Sequence, residues 1–205
     1  MGDMARQAAG PADAGPVAGD DAALIARSLH APECFGVLFD RHAPAIGRYV
    51  ARRLGPDTAD DLVAETFLVA FRRRGRYDLA YGDARPWLYG IATRLIGRYR
   101  RQEVRFFRAI ARTGVDPAAE LIADQVTDRV AAQAARRELA AALAQLSQGQ
   151  RDVLWLVASG LGYEETALAL EVPVGTVSSR LVRARRKVRE ALGGRDPRRP
   201  GEDAP

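Results

Sequence analysis

Leu146-SQGQRDVLWLVASGLGYEETALALEVPVGTVSSRLVRARRKVREA-Leu192 is the stretch that decides the fold. Ser147 and Gln150 stand three apart ahead of an apolar-periodic run. The serine hydroxyl can accept from the amide three residues on, and the glutamine can reach back to the serine's own amide, so the spacing predicts a capping box. The helix it opens runs over Arg151–Ser159 and stops at Gly160, a residue that enters left-handed backbone without steric cost. A short second helix follows over Tyr163–Leu170, then a turn over Glu171–Val174 containing Pro173, then a third helix over Thr176–Leu192. This is helix-turn-helix spacing. In the last helix Val177, Leu181, Ala184, Val188 and Leu192 fall on one side, leaving Ser179, Arg183 and Arg186 opposite, flanked by Ser178 and Val182. Residues 174–194 carry 6 basic groups against 1 acidic, whereas 151–173 carry 1 against 4. A charge jump on the outward face of a last helix is what insertion into a DNA groove needs; a purely structural three-helix unit would share the periodicity without the charge.

The rest of the chain is also helical in period. No run alternates as a half-buried strand would, so the class is all-α. Asp20 can cap a helix over Asp21–Leu29; Pro32 opens another through Glu33–Leu54, ended by Gly55 and Pro56; Asp57 caps a third over Thr58–Arg74. Pro86 opens a fourth that continues to about Arg112. In the third helix Leu62, Val63, Phe67, Ala70 and Phe71 make a core face, and Asp61, Glu65, Leu68 and Arg72 share a narrow stripe beside it. That stripe reads either as a protein-docking surface or as an exposed face with i,i+4 charge pairing. In the fourth helix Trp87, Leu88, Ile91, Ala92, Leu95 and Tyr99 read as core, while Gly90, Thr93, Arg94, Gly97, Arg100 and Arg101 lie on the other side. Each exposed mid-helix glycine costs about 1 kcal/mol relative to alanine. Close approach of DNA backbone, or of another helix, would account for that cost.

Composition narrows the classes further. The 205 residues carry a formal charge of +5, and residues 34–112 hold 16 basic groups against 8 acidic, while 1–33 hold 2 against 5. Two basic islands result, the pattern of phosphate binding, although all the basic residues but Lys187 are arginine, which also fits coding bias. The segments 1–19 and 195–205, rich in Ala, Gly, Pro and charge, read as disordered tails. Thr113–Thr127, TGVDPAAELIADQVT, reads as a flexible linker. The expected organisation is therefore two small helical domains, 20–112 and 128–194, joined by that linker. One cysteine, Cys34, and two histidines, His30 and His42, provide no disulfide framework and no metal cluster. His42 reads as a helix-surface residue. No catalytic constellation or cofactor motif is present, so no enzyme is expected. No apolar run approaches the roughly 20 residues of a membrane span, and the start lacks the order of a signal peptide, so a cytoplasmic protein is expected.

The 146–192 segment resembles the C-terminal promoter-binding domain of extracytoplasmic-function (ECF) sigma factors of the sigma-70 family, with Pro173-Val174-Gly175-Thr176-Val177 and Ser179-Arg180 its most specific part. FGVLFDRHAPAIGRYV (35–50), ADDLVAETFLVAF (59–71) and ARPWLYGIATRLI (84–96) resemble the successive helices of that family's first domain. The resemblance implies a factor that binds RNA polymerase core and directs promoter-specific initiation, touching promoter DNA both double-stranded and melted, with an anti-sigma factor as a further partner. It implies a region 2-like domain for clamp binding and melting, and a region 4-like domain for the upstream element. By position, Asp61, Glu65, Leu68 and Arg72 would dock on polymerase. Tyr77, Arg85, Thr93, Arg94, Gly97 and Arg101 would meet the downstream element, with the loop Tyr77–Arg85 holding a flipped base. Ser178, Ser179, Val182 and Arg183 would read the upstream element, while Arg180 and Arg186 hold phosphates. The chain departs from the pattern at Arg94 (asparagine in many members), Gly162 (a capping serine), Glu171 (glycine) and Ser178 (a basic residue). The competing reading is a stand-alone helix-turn-helix regulator, which would leave the first domain unexplained.

Overall fold

The computed structural model describes residues 20–115 and 129–192. The expected tails and the bulk of the expected linker lie outside the described residues. Every regular element among those described is helical.

Helix α1 (Asp21–Ser28) is capped by Asp20, whose side chain accepts from the Ala23 amide. A 3-10 turn at Pro32–Cys34 leads into α2 (Phe35–Leu54). Gly55, at φ 93°, stops α2 and turns the chain into a second 3-10 turn at Pro56–Thr58, so α3 (Ala59–Arg73) begins one residue later than Asp57 capping predicts. After a loop come α4 (Arg85–Arg98) and α5 (Arg100–Thr113). The predicted single helix from Pro86 to Arg112 is thus two. Tyr99 leaves helical geometry at φ −97°, ψ 19°, and the chain bends there. Both halves keep an apolar period, which is why the sequence reads as continuous.

Helix α6 (Arg129–Gln145), inside the predicted second domain but without a predicted boundary, precedes the three helices of the motif: α7 (Gln148–Ala158), α8 (Tyr163–Leu170) and α9 (Val174–Ala191). The capping box is present, with Ser147 Oγ accepting from the Gln150 amide and Gln150 Oε1 accepting from the Ser147 amide.

Packing joins the two halves rather than separating them. The first core gathers Ile25, Leu38, Ile46, Val50, Leu62, Phe67, Leu88 and Ile96 from α1–α4, and takes in Leu156, Leu161 and Ala169 from the second half. A second core sets Phe107 and Ile110 of α5 against Leu143 of α6, Leu146 just after it, Ala184 and Val188 of α9, and Leu192 at the end of α9. The α5 helix lies against α6, and its Phe107 ring stacks on Trp155 at 6.3 Å. A third, smaller core of Val153, Ala167, Val177 and Leu181 lies within the helix-turn-helix itself. The chain therefore adopts a closed arrangement in which the helix-turn-helix covers part of α4.

Candidate nucleic-acid interface and docking face

Helix α3 buries Leu62, Val63, Thr66, Phe67 and Ala70, and the four stripe residues stay off that face. Asp61 and Arg72 are exposed, and Leu68 is 47% exposed, a large value for a leucine on a packed helix. Glu65 is half-buried and accepts from Arg98 Nη1 at 2.8 Å, so one of the four is tied to α4. On α2, Val37 and Phe39 are also exposed, and Phe39 meets Phe67 edge to face at 4.9 Å. Sequence reading missed these two apolar side chains. Exposed leucine, valine and phenylalanine beside charged groups have the makeup of a protein-docking face.

The loop between α3 and α4 is built from within. Tyr77 Oη donates to the carbonyls of Tyr81 (2.6 Å) and Asp83 (3.2 Å), while its ring lies 4.9 Å from that of Trp87. Burial raises the Tyr77 phenol, helped by the charges of Asp21, Asp83 and Asp78, so it remains a donor at neutral pH. Arg85 is held by Asp83 at 2.7 Å. The loop is pinned to α1 by a residue the sequence did not single out. Buried Asp21 accepts from the Ala84 amide at 2.9 Å, from His42 Nε2 at 2.8 Å and from Arg41, and its own amide donates to Gly82. Burial opposes ionisation of Asp21, but the hydrogen bonds from His42 and Ala84 and the charge on His42 outweigh it and lower its pKa to about 2. His42 is accordingly buried, not on the surface as its sequence context suggests.

The outward side of α4 differs from the expectation at three positions. Thr93 is buried, its hydroxyl bonded to the Tyr89 carbonyl (2.7 Å) and to Tyr49 Oη (2.7 Å), so it belongs to the core rather than to a nucleic-acid face. Gly90 is buried as well: a Cβ there would lie 2.5 Å from the Ala169 carbonyl oxygen, so the glycine lets α8 approach α4 backbone to backbone. Gly97 is half-buried, with Gln148 Nε2 at 2.9 Å from where its Cβ would be. Helix contact, the other explanation for these glycines, accounts for Gly90, whereas at Gly97 only the flexible end of the Gln148 side chain lies close. Arg94 projects outward but is taken up by Glu171, Nη1 to Oε1 at 2.5 Å, while Arg101 is exposed. Between the loop and α8 lies a cavity of about 200 Å³. Tyr77, Trp87 and Arg94 line it from one side, Leu168 and Glu171 from the other.

Beneath this contact lies a buried ionic node. Arg53, 0% exposed, donates to Glu103 (2.6 Å), to Asp152 (2.6 Å) and to Tyr49 Oη (2.7 Å). Arg151 donates to the other Glu103 oxygen (3.1 Å) and to the Leu146 carbonyl (2.6 Å), closing the end of α6. Two arginines and two carboxylates thus balance in charge, and each is hydrogen-bonded, the condition for keeping ions out of water. Burial acts against the Arg53 charge, but Tyr49, Glu103 and Asp152 hold it more firmly protonated than usual. Burial also lifts the Asp152 carboxyl in spite of Arg53, and the Tyr49 phenol to about 12. Nothing in the sequence spacing of these four ions marks them as partners.

Helix α9 follows the expected faces. Val177, Leu181, Ala184 and Val188 are buried; Ser179, Arg183 and Arg186 are exposed, and Val182 is 63% exposed. Ser178 is half-buried. Ser179 Oγ donates to the Thr176 carbonyl at 3.1 Å. Arg186 lies 3.7 Å from Glu190, one turn on, and the half-buried Arg180 guanidinium packs over Gly149. The turn before α9 has Glu171 in left-handed backbone at φ 55°, where its amide and that of Val172 close onto Leu168 and Ala167. Among the described residues no group of three metal-ligating side chains gathers, and no helix is long and apolar enough to cross a membrane.

The described chain thus has two helical parts, one ending in an outward-facing basic helix and one carrying an exposed stripe of acid, leucine and arginine on α3. Residues 38–106 match sigma-70 region 2, and residues 136–188 match sigma-70 region 4. The chain is similar to the ECF RNA polymerase sigma factor SigC of Mycobacterium tuberculosis, with 33% identity over 82% of this chain and 90% of that protein. It is also similar to SigL of the same species (34%, covering 76% and 89%) and to BldN of Streptomyces coelicolor (30%, covering 78% and 61%). Among solved structures, CnrH in complex with the cytosolic domain of CnrY superposes with a TM-score of 0.61 at 27% identity, over 86% of this chain and 99% of that one. The sigma factor RpoE of Bartonella quintana, in complex with the anti-sigma factor NepR, shares the fold at a TM-score of 0.56 and 23% identity, over 78% and 96%. The chain belongs to the sigma-70 family, as an ECF sigma factor.

Proposed function

We infer that this protein binds RNA polymerase core and directs it to particular promoters, without catalytic activity of its own. The observation that carries the reading is that regions 2 and 4 occur in order on one chain, with similarity to SigC running across 90% of that relative. A stand-alone regulator would have no use for the first module. It acts in the cytoplasm, where polymerase and chromosome meet.

The first module, 20–112, docks on polymerase through Asp61, Glu65, Leu68 and Arg72, with Val37 and Phe39 extending the apolar part. Tyr77, Arg85, Arg94, Gly97 and Arg101 meet the downstream element, where the Tyr77–Trp87 pair offers an aromatic wall for an unstacked base. The second module, 128–194, presents Ser178, Ser179, Val182 and Arg183 to base edges and Arg180 and Arg186 to phosphates. The expected linker, with Thr113 itself closing α5, would let the modules reach both elements. An anti-sigma factor is a natural further partner, since CnrH and RpoE were both solved with a second protein bound. Because α8 covers part of α4, working on DNA requires the two modules to separate. Co-purification with core polymerase, followed by promoter-dependent run-off transcription, tests the reading. Absence of core binding by the folded chain would refute it.

A further inference from the structure

Helix α1 spans the two ends of the loop between α3 and α4. At one end Asp21 accepts from the Ala84 amide at 2.9 Å, and its own amide donates to the Gly82 carbonyl at 3.0 Å. At the other, the Ser28 carbonyl accepts from Arg74 Nε at 3.2 Å, and Leu29 Cδ2 stands 3.8 Å from where a Cβ on Gly75 would lie. Asp21 and Ser28 are the first and last residues of an eight-residue helix, so at 1.5 Å per residue they stand about 10 Å apart. We propose that α1 is a splint for this loop, with Asp21 as its positioning residue: it fixes the gap between the loop's ends and so holds the Tyr77–Trp87 pair in place for an unstacked base. The proposal rests on reading the loop as the place where a downstream-element base is held.

The loop has little else to place it. Apart from bonds to the chain neighbours Arg74, Arg85 and Leu88, every hydrogen bond that leaves residues 77–84 among the described residues ends on Asp21. The bonds of Tyr77 to Tyr81 and Asp83, and of Ala80 to Asp78, shape the loop without anchoring it. Asp21 is 2% exposed and is itself oriented from α2, by Arg41 on one carboxylate oxygen and by His42 on the other at 2.8 Å. A buried carboxylate persists only where it is paired and hydrogen-bonded, so the group is tied to one setting and the loop follows it. Arg74 is fixed as firmly: its Nη1 donates to the Phe71 carbonyl at 2.6 Å, and its guanidinium lies 3.8 Å over the Phe71 ring.

A helix that only filled the core would need its apolar face alone. Ala22, Leu24 and Ile25 already bury that face, and the polar contacts at both ends of α1 add no apolar area; they go to the loop. Helix α1 also lies ahead of residues 38–106, the stretch that matches region 2. Stacking of a base on aromatic side chains is worth roughly 5- to 140-fold in affinity, and that is the discrimination a displaced Tyr77–Trp87 pair would lose.

The test uses holoenzyme assembled from core polymerase and the full chain, on a promoter recovered by selection, with abasic sites placed one at a time through the downstream element on either strand. The ratio of affinities for intact and abasic promoters isolates the held base; a general loss of stability lowers both affinities alike and leaves the ratio alone. Wild type should show one position where the ratio is about fivefold or more, and Tyr77→Leu should remove it. Asp21→Asn, and separately Arg74→Leu, should bring the ratio at that position below about twofold, with core binding and affinity for the abasic promoter unchanged. Arg27→Gln, on the exposed side of α1, should keep the wild-type ratio. A wild-type ratio in Asp21→Asn, folded by circular dichroism, with Tyr77→Leu still removing it, would overturn the splint and leave the loop reading standing; should Asp21→Asn not fold, Arg74→Leu decides alone. If no abasic position matters in wild type, or Tyr77→Leu leaves the ratio unchanged, the loop holds no base and the proposal falls with that reading.

Discussion

Replacing Asp152 by alanine should open the closed arrangement. Arg53 lies at 0% exposure and divides its guanidinium among Glu103, Asp152 and Tyr49. Of these, only Asp152 belongs to the second module. Without it, Arg53 Nη2 keeps a charge-bearing N–H in a dry contact with no acceptor, and the count of buried ions falls from two against two to two positive against one negative. Breaking a buried pair from one side costs about 3–5 kcal/mol while the groups stay buried. Separation of the modules gives Arg53 water on that side and leaves its bond to Glu103 intact, since both belong to the first module. The cost therefore falls on the closed form and spares the open one. A change of 3 kcal/mol is more than a hundredfold in a two-state ratio, large enough to exchange the majority species. Small-angle scattering at matched concentrations should show an increased radius of gyration, with helical circular dichroism retained. An Asp152→Ala chain with the wild-type radius and unchanged thermal midpoint would refute the claim that this node holds the modules together.

Four further outcomes follow from the same geometry. Gly90→Ala should raise the intrinsic helix propensity of α4 yet weaken the closed form, because its Cβ would meet the Ala169 carbonyl at 2.5 Å; a thermal midpoint at or above wild type, without expansion, would contradict this. Asp21, with a folded pKa of about 2 against 3.8 unfolded, contributes stability that is complete above pH 4 and disappears as pH falls toward 2. That window is worth about 2 kcal/mol, so urea unfolding of wild type and Asp21→Asn should converge on acidification and differ at pH 7. Asp61→Arg with Leu68→Asp should leave the fold intact, both side chains being exposed, and abolish core binding in a pull-down. Arg183→Ala should relax preference at one upstream position in a randomised-promoter selection, whereas Arg186→Ala should keep the preference and reduce the salt slope by about one unit.

The helix-turn-helix was legible because its signals are local: a capping box, a glycine stop, a proline turn and one clean apolar face on α9. The stripe on α3 was legible for the same reason. What escaped depends on partners distant in sequence. Thr93 carries a hydroxyl and reads as outward, but Tyr49, 44 residues earlier, supplies a buried partner for it. Arg53 stands beside Arg52 with nothing local to mark it as buried, and only the arrival of Asp152, 99 residues later, gives its charge a partner from the second half. Helix α6 offers a run of alanines with neither cap nor stop, so its ends could not be placed. The break at Tyr99 leaves the apolar period in phase on both sides, and Gly97, two residues before it, reads as a mid-helix glycine rather than as a stop. Gly90 was noticed as a cost in search of a neighbour; the neighbour is the chain itself.

The measurement that bears most directly on the whole account is run-off transcription by core polymerase with this chain added, on a promoter recovered by selection with the same holoenzyme. The account predicts a transcript that requires the chain, starts at one site, and disappears with Asp61→Arg and Leu68→Asp while circular dichroism is unchanged. Folded wild-type chain that neither associates with core nor supports a defined start would contradict it.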